Sequence, residues 1–228
     1  TGVTGGRERF LADIFNEVDE EIRRERLQKL WERYGIYIIA LAVLIVLGMA
    51  AWRGYVWWDG KRAATAGAAF ESALTLSDEG KHAEAEAAFA KIVTDAPPGY
   101  RLLARFRVAG ELAGTKPQDA VKGFDALAAD SSIGPTLQDL AAVRAGMLLV
   151  DTAPLAEMKR RLDPVVEPGH AFRHTARELL ALSAWRNHDF TAARHYLDLI
   201  AGDNETPPGT RTRAHVLSAL IAADGGKS

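Results

Sequence analysis

Two histidines, His170 and His174, come closer to a metal-binding pattern than any other residues of the chain. Four residues apart on a helix, they would share one face and could both bind a zinc ion. A zinc site needs further ligands, and no Cys or carboxylate follows at the usual spacing, although Glu178 lies one turn beyond His174. We therefore interpret the pair as surface histidines at a helix start, and we predict no metal and no cofactor.

Residues for covalent or acid–base catalysis form no recognisable group. The sequence contains no P-loop, no GxSxG and no GxGxxG motif, and no candidate nucleophile has a base nearby. The carboxylates are scattered among basic residues, as on a solvated face, and His188 and His195 are interpreted as turn and surface residues. We predict that the protein is not an enzyme. An enzyme or a metal-binding protein stays the third of three hypotheses.

The arginines offer binding chemistry instead. Five of them fall on helices that the repeat described below predicts to be the first of a pair: Arg101, Arg105, Arg144, Arg173 and Arg177. Two of the intervals are four residues, which places both members on one helix face. In a repeat groove, such guanidinium groups could bind acidic side chains or the C-terminal carboxylate of a peptide. The alternative is a solvated outer face with local ion pairs.

The longest apolar run of the chain is a candidate membrane-spanning segment, which would hold the repeats beside a membrane. It extends without a charge from Gly35 to Trp52 and continues past Arg53 to Trp58. A membrane-spanning helix needs about 20 apolar residues, and Arg53 near its end can extend its guanidinium to the headgroups. A buried core helix would have a polar face, and a signal peptide would have a shorter apolar region. We therefore predict a transmembrane helix over 35–58.

Residues at the ends of this predicted span and within it indicate its membrane anchors, its orientation and a possible contact surface. Aromatic residues typical of a membrane–water interface mark its two ends, namely Trp31 and Tyr34 before it and Trp52, Tyr55, Trp57 and Trp58 after it. More basic residues precede the span than follow it, which favours a cytoplasmic N-terminus and a periplasmic C-terminal domain at a bacterial inner membrane. Small residues at Gly48, Ala50 and Ala51 could admit a second helix.

The segment 1–34 precedes the span. Thr1–Gly6 is interpreted as a flexible leader, and Arg7–Tyr34 carries many charges of both signs with apolar residues at helical spacing. It is predicted to form an amphipathic helix that runs into the membrane helix. Two interpretations stay open: an exposed helix with many salt bridges, or a surface that contacts a cytoplasmic partner or the membrane.

The composition is that of a globular protein with one span. Of 228 residues, 48% are hydrophobic and 25% are charged, and the net charge is −2. This balance does not favour nucleic-acid binding, which usually needs a basic surface. Residues 59–228 are numerous enough to form one domain with its own core. The absence of cysteine fits a periplasmic domain without disulfides but decides little.

An internal repeat organises residues 59–228. Helix breakers recur about every 35 residues, at 95–99, 131–135, 167–169 and 206–209. In the first unit, Ala66–Pro98, Gly80 permits a turn, small Ala85 permits close helix approach, Phe89 fills the gap between repeats and Pro97 ends the second helix. Equivalent residues recur later in the chain: Ala120, Phe124 and Leu127 in the second unit, and Ala193, Leu197 and Ile200 in the fourth.

The third unit is degenerate. We predict its helices over Leu140–Val150 and Pro154–Leu162, with Pro154 at the first helical position, and a capping helix over Thr210–Ala223. The sequence thus predicts an all-α protein. Its expected parts are an amphipathic helix, one transmembrane helix and a TPR-like α-solenoid of about four helix pairs with a capping helix.

The order of these parts resembles a bacterial family of TPR-like single-span inner-membrane proteins that includes the ancillary subunit of the Sec translocon. The resemblance rests on the charged segment Asp13–Glu21, the sequence Trp31-Glu32-Arg33-Tyr34-Gly35, the span and the degenerate repeats. It implies an inner-membrane anchor, a periplasmic TPR domain, and association with the translocon and periplasmic chaperones.

Two further hypotheses follow. The first is a membrane-anchored scaffold that assists protein export, chaperone handover or assembly, with partners docking on the repeats. The second is a structural accessory subunit of another inner-membrane complex, held mainly through its transmembrane helix.

Overall fold

The computed structural model describes the backbone from Gly5 to Gly225 and the side chains of residues 31–223. Over this part of the chain the protein is all-α, as predicted, with no strand. The helices are α1 (Gly5–Asp78), α2 (His82–Asp95), α3 (Pro98–Leu112), α4 (Pro117–Ala128), α5 (Pro135–Leu149), α6 (Leu155–Leu162), α7 (Arg173–Arg186), α8 (Phe190–Gly202) and α9 (Pro208–Gly225). The contacts divide the chain into two units, 1–61 and 62–228.

Helix α1 is the longest element, with 74 residues. It has no break between the apolar run and the first repeat, because only Gly60 disfavours a helix there and one glycine costs about 1 kcal/mol. The leader residues 1–4, and the side chains of the N-terminal amphipathic segment up to residue 30, lie outside the described residues.

The first unit exposes its apolar side chains. From Trp31 to Trp58 every large hydrophobic side chain is at least 47% exposed, and Ile36 reaches 75%. One helix of the described chain is long and apolar enough to cross a membrane, and only 6% of its most apolar window is buried. A core helix of a globular domain would be mostly buried, so the apolar surface of this helix has no cover within the described residues.

Proline sets the start of several helices in the second unit. Residues Pro98, Pro117, Pro135 and Pro208 are each the first residue of their helix, where the missing N–H is not needed. Pro154 instead precedes the first residue of α6, so the predicted first helical position is wrong by one residue. Helix α5 also begins five residues earlier than predicted, at Pro135.

The repeated apolar residues form the core of the second unit. In α2, α4 and α8 a small Ala is followed by large residues four and seven positions later, and all nine side chains are buried: Ala85, Phe89, Ile92, Ala120, Phe124, Leu127, Ala193, Leu197 and Ile200. The degenerate third unit buries Met158 and Leu162 of α6 instead. Three of the four predicted helix pairs therefore share one packing pattern in their second helix, and the third pair departs from it.

Consecutive helices pack against one another from α2 to α9. Among the odd-numbered helices, α5 contacts α7 and α7 contacts α9, whereas the even-numbered helices of the described chain make no comparable contact. Helix α3 joins this row through a shared core, since Ala109 of α3 packs in one cluster with Ala141 and Ala145 of α5. Helices α5, α7 and α9 thus form a row, and α3 shares a core cluster with α5.

The turns between paired helices repeat as well. Gly80, two residues before α2, has a φ of 77°, a left-handed conformation that glycine adopts without strain. His188, two residues before α8, occupies the same place with a φ of 59°. The sequence interpretation of His188 as a turn residue is in agreement with this backbone.

Candidate protein-binding surface

An arginine of α3 is bound to the loop that follows α4. The Arg105 Nη1 donates to Asp130 Oδ2 at 2.6 Å. The other carboxylate oxygen of Asp130 accepts hydrogen bonds from the backbone N–H and the hydroxyl of Ser132, at 3.1 and 2.6 Å. The Ser132 hydroxyl and the Arg105 guanidinium together lower the pKa of Asp130 to about 2. Arg105 therefore fixes the end of its own helix pair.

The same arrangement recurs in the fourth unit. Asp203, 73 residues after Asp130, accepts hydrogen bonds from Arg173 Nε at 2.8 Å and from Arg177 Nη1 at 2.9 Å. Its other oxygen accepts a hydrogen bond from the backbone N–H of Glu205 at 3.0 Å. Asp130 likewise accepts one from the backbone N–H of Ser132, which is also two residues farther along the chain. The Arg173 hydrogen bond is the main reason that the pKa of Asp203 lies well below its usual range.

Arg177 is the most deeply placed of these arginines. It is 3% exposed, and it also donates to the carbonyl oxygens of Val166 at 2.9 Å and Leu199 at 3.1 Å. Arg173 makes a further ion pair with Glu205. Both guanidinium groups thus connect α7 to the end of α8.

The sequence carried a signal for these contacts. An Asp ends or closely follows the second helix of three units, as Asp95, Asp130 and Asp203. The recurring Asp, paired with an Arg one helix earlier, could have predicted the internal pairs.

Three of the five arginines predicted to line a groove therefore have intramolecular partners: Arg105, Arg173 and Arg177. Arg101 and Arg144 are exposed, and neither side chain has a hydrogen bond or ion pair within the described residues. A peptide-binding role for the five arginines stays a prediction.

The histidines lie in separate surroundings. The His170 Nδ1 is 2.7 Å from Asp139 Oδ2 of α5. His174 is only 9% exposed and its Nδ1 lies 3.2 Å from the Thr206 hydroxyl, so its interpretation as a surface histidine is wrong. Burial, with Arg173 close by, lowers the pKa of His174. The described residues contain no group of three side chains placed to hold a metal ion.

The odd-numbered helices present one common face. We define the odd-helix face as the sixth, tenth and thirteenth residues of α3, α5, α7 and α9. It comprises Leu103, Arg107 and Gly110; Leu140, Arg144 and Met147; Glu178, Leu182 and Trp185; and Arg213, Leu217 and Leu220. Only Leu217 among them is buried. The guanidinium of Arg213 and the carboxylate of Glu178, both sixth residues, form hydrogen bonds, one of 2.8 Å, which places neighbouring faces side by side.

The large exposed apolar side chains described in the second unit lie on odd-numbered helices. The four large hydrophobic residues with the most exposure are Leu103 (53%), Met147 (47%), Val216 (58%) and Leu220 (47%). All four lie on α3, α5 or α9, and three belong to the odd-helix face. The described part of the even-numbered helices exposes no comparable side chain. The odd-helix face therefore carries most of the large exposed apolar side chains described in this unit.

The predicted contact residues of the first unit are all accessible. Gly48, Ala50 and Ala51 are exposed, and nothing lies within 4 Å of a Cβ placed on Gly48. A shallow recess is lined by Ala50, Arg53, Gly54, Val56 and Trp57. The predicted interface aromatics are exposed at both ends of the run: Trp31, Tyr34, Trp52, Tyr55, Trp57 and Trp58.

Recurring helix pairs with one packing pattern define a helical-repeat protein. The family model of the tetratricopeptide repeat-like domain matches residues 28–180, which is more than half of the chain. The chain therefore belongs to the tetratricopeptide repeat-like domain family. Domains of this kind are typically non-enzymatic scaffolds that mediate protein–protein interactions. No curated protein and no solved structure matches the chain.

Proposed function

We propose that this protein is a membrane-anchored scaffold whose TPR-like domain binds a protein partner beside the membrane. Family membership supports a role in protein–protein interaction. The observation that carries the proposal is the division of exposed apolar surface between two places. One is the exposed run in the first unit, suited to lipid, and the other is the odd-helix face in the second unit.

The proposal assigns residues 1–34 to the cytoplasm, 35–58 to the inner membrane and 59–228 to the periplasm. The exposed aromatics at both ends of the run would lie at the two membrane surfaces. The helix pairs of residues 59–228 would form an α-solenoid, with α9 as its capping helix. The row of odd-numbered helices and their repeated packing support this arrangement.

Assistance to protein export, chaperone handover or assembly is the process we propose. The Sec translocon and periplasmic chaperones are the partners that the order of the parts favours. The anchor would raise the local concentration of the domain beside such a partner, which strengthens a weak contact without any new interaction.

Membrane topology can be tested with unique cysteines, since the natural chain has none. Single variants Glu8→Cys and Ser132→Cys would be exposed to a membrane-impermeant maleimide on intact spheroplasts. We expect Ser132→Cys to react and Glu8→Cys to react only after lysis. Labelling of Glu8→Cys before lysis, or extraction of the protein by alkaline carbonate, would contradict the proposed anchor and its direction.

The second candidate function is a structural accessory subunit held through its membrane helix. It is favoured by the accessible small residues Gly48, Ala50 and Ala51 beside the recess at Arg53. Photo-crosslinkers placed at Ala51 and at Met147 of the full chain distinguish the two functions. Specific crosslinks from Met147 to another protein support the scaffold, whereas crosslinks from Ala51 alone support the accessory subunit.

A further inference from the structure

Uncompensated charge on the odd-helix face lies at α3 and α5. Arg107 and Arg144 are the tenth residues of these helices, both are exposed, and neither has a hydrogen bond or ion pair among the described residues. Farther along the row, the Glu178 carboxylate already binds Arg213. The free positive charge is therefore confined to the α3–α5 part of the face.

The carboxylates of α3 and α5 cannot neutralise these two cations. Glu111, the acidic residue of α3, is 7% exposed and accepts a hydrogen bond from the Ser77 hydroxyl at 2.6 Å, with His82 Nδ1 at 2.8 Å. Asp139, the acidic residue of α5, is 9% exposed and is bound to His170. Both negative charges are turned into the core, so the outer surface of these helices is purely cationic.

Apolar side chains lie directly beside the free arginines. Leu103 precedes Arg107 by four residues, and Met147 follows Arg144 by three, so each pair shares a helix face. Leu140, half-buried, lies four residues before Arg144. A ligand that covers these exposed side chains and supplies carboxylates to the arginines would gain binding free energy from both contacts.

We propose that the α3–α5 part of the odd-helix face binds an acidic amphipathic segment of the partner protein. Its carboxylates pair with Arg107 and Arg144, and its apolar residues cover Leu103, Leu140 and Met147. This inference rests on the proposed scaffold function and specifies the partner's chemistry. It moves the binding site away from Arg105, Arg173 and Arg177, whose guanidinium groups hold the repeats together.

The test uses the full chain reconstituted in phosphatidylcholine discs and a fluorescent synthetic helical peptide with Leu and Glu at four-residue spacing. Fluorescence anisotropy measures the Kd for this peptide and for its Lys-for-Glu counterpart. The double variant Arg107→Glu/Arg144→Glu should weaken binding of the acidic peptide about tenfold and should bind the Lys peptide more tightly, because two exposed charge pairs are reversed. The double variant Leu103→Gln/Met147→Gln should raise the Kd for both peptides, because it removes the apolar contacts that both would make.

The matched control is Arg160→Glu/Arg194→Glu, which reverses two exposed arginines of α6 and α8. It should leave both affinities unchanged. An equal loss in this control, or unchanged binding in the Arg107/Arg144 variant, would show that the face does not select the acidic peptide, and the proposal would be wrong.

An anionic membrane surface is the competing occupant. An environment-sensitive dye on Met147→Cys should respond to the acidic peptide and should not respond to phosphatidylglycerol in the discs. A blue shift with this lipid alone would assign the face to lipid and overturn the proposal. If the acidic peptide does not bind but Met147 still crosslinks to a partner, the inferred chemistry of the partner is wrong and the scaffold function stands. If the peptide does not bind and Met147 gives no crosslink, both the inferred chemistry and the scaffold function are wrong.

Discussion

At the scale of single residues, the arginines of this protein have two different roles. Arg177 is buried and bound to Asp203 and to two carbonyl oxygens, whereas Arg144 is exposed and has no partner within the described residues. Both are arginines of a first helix. Only the position of the neighbouring acceptors separates a structural guanidinium from one available to a ligand.

Replacing Arg177 with Ala should lower the free energy of unfolding by about 3 kcal/mol, because it removes one partner of a buried ion pair and leaves carbonyl oxygens unsatisfied. Arg144→Ala, the matched control, should change it by less than about 0.5 kcal/mol. Urea unfolding followed by circular dichroism measures both. Equal changes in the free energy of unfolding for the two variants would show that the buried contacts of Arg177 do not stabilise the fold.

Acidification should destabilise the protein in two steps. His174 has a lowered pKa in the folded state, so its contribution is complete above the unfolded value of about 6.5 and is lost as the pH falls toward the lowered pKa. The pKa of Asp130 is lowered to about 2, so its contribution is complete above about pH 5 and is lost as the pH falls toward 2.

Urea midpoints between pH 8 and pH 2.5 test this order. His174→Gln should flatten the profile from about pH 6.5 downward, and Asp130→Asn should flatten it only below about pH 5. A His174→Gln profile parallel to that of the natural protein would contradict the assigned role of His174. The same result for Asp130→Asn would contradict the role of the Arg105–Asp130 pair.

At the scale of helices, two glycines on first helices have opposite surroundings. A Cβ on Gly146 of α5 would lie 3.0 Å from Leu162 Cδ1, and Leu162 is fully buried. A Cβ on Gly110 of α3 would meet nothing within 4 Å. Gly110 lies on the odd-helix face, whereas Gly146 faces α6.

These two glycines should therefore respond oppositely to alanine. Gly146→Ala should cost about 1–2 kcal/mol through overpacking, even after the gain in helix propensity. Gly110→Ala should stabilise by about 0.5–1 kcal/mol, since an exposed helix gains from the loss of glycine's conformational entropy. Thermal unfolding in detergent compares the variants. If both alanine variants raise the unfolding temperature, the prediction for Gly146 is wrong, and α5 and α6 can move apart to admit the extra methyl group.

At the scale of the whole molecule, the buried core belongs to one unit. All three clusters of buried apolar residues lie between Ala66 and Ile221, and the described part of the first unit contributes none. The second unit therefore has the hydrophobic core that an independent domain requires.

A chain that begins at Arg62 should remain folded in aqueous buffer without detergent. We expect a helical circular dichroism spectrum and one cooperative urea transition, because the contacts that bury the core are retained. The full chain, with its exposed apolar run, should aggregate without detergent. Loss of cooperative unfolding in the shortened chain would show that residues before Arg62 are needed for the fold.

The sequence predicted most of the fold and only part of the candidate site. The triplet of Ala85, Phe89 and Ile92 recurs at a spacing near 35 residues or twice that. It could be read from the sequence because each of these helices buries the same face. Helix starts were predicted less well, because proline is compatible with more than one position at a helix start. His174 was misplaced, since a single histidine carries no pattern that distinguishes core from surface.

By itself, the sequence determined that the chain is helical, where the helix pairs lie and where the longest apolar surface is. Each of these follows from the order of residue types along the chain, through helical periodicity, breakers and hydrophobicity. Only the tertiary structure decided which arginines are consumed by internal pairs and which stay free on the odd-helix face. That choice depends on acceptors 25 to 30 residues away, such as Asp130 and Asp203, which meet their arginines only when the helix pairs close.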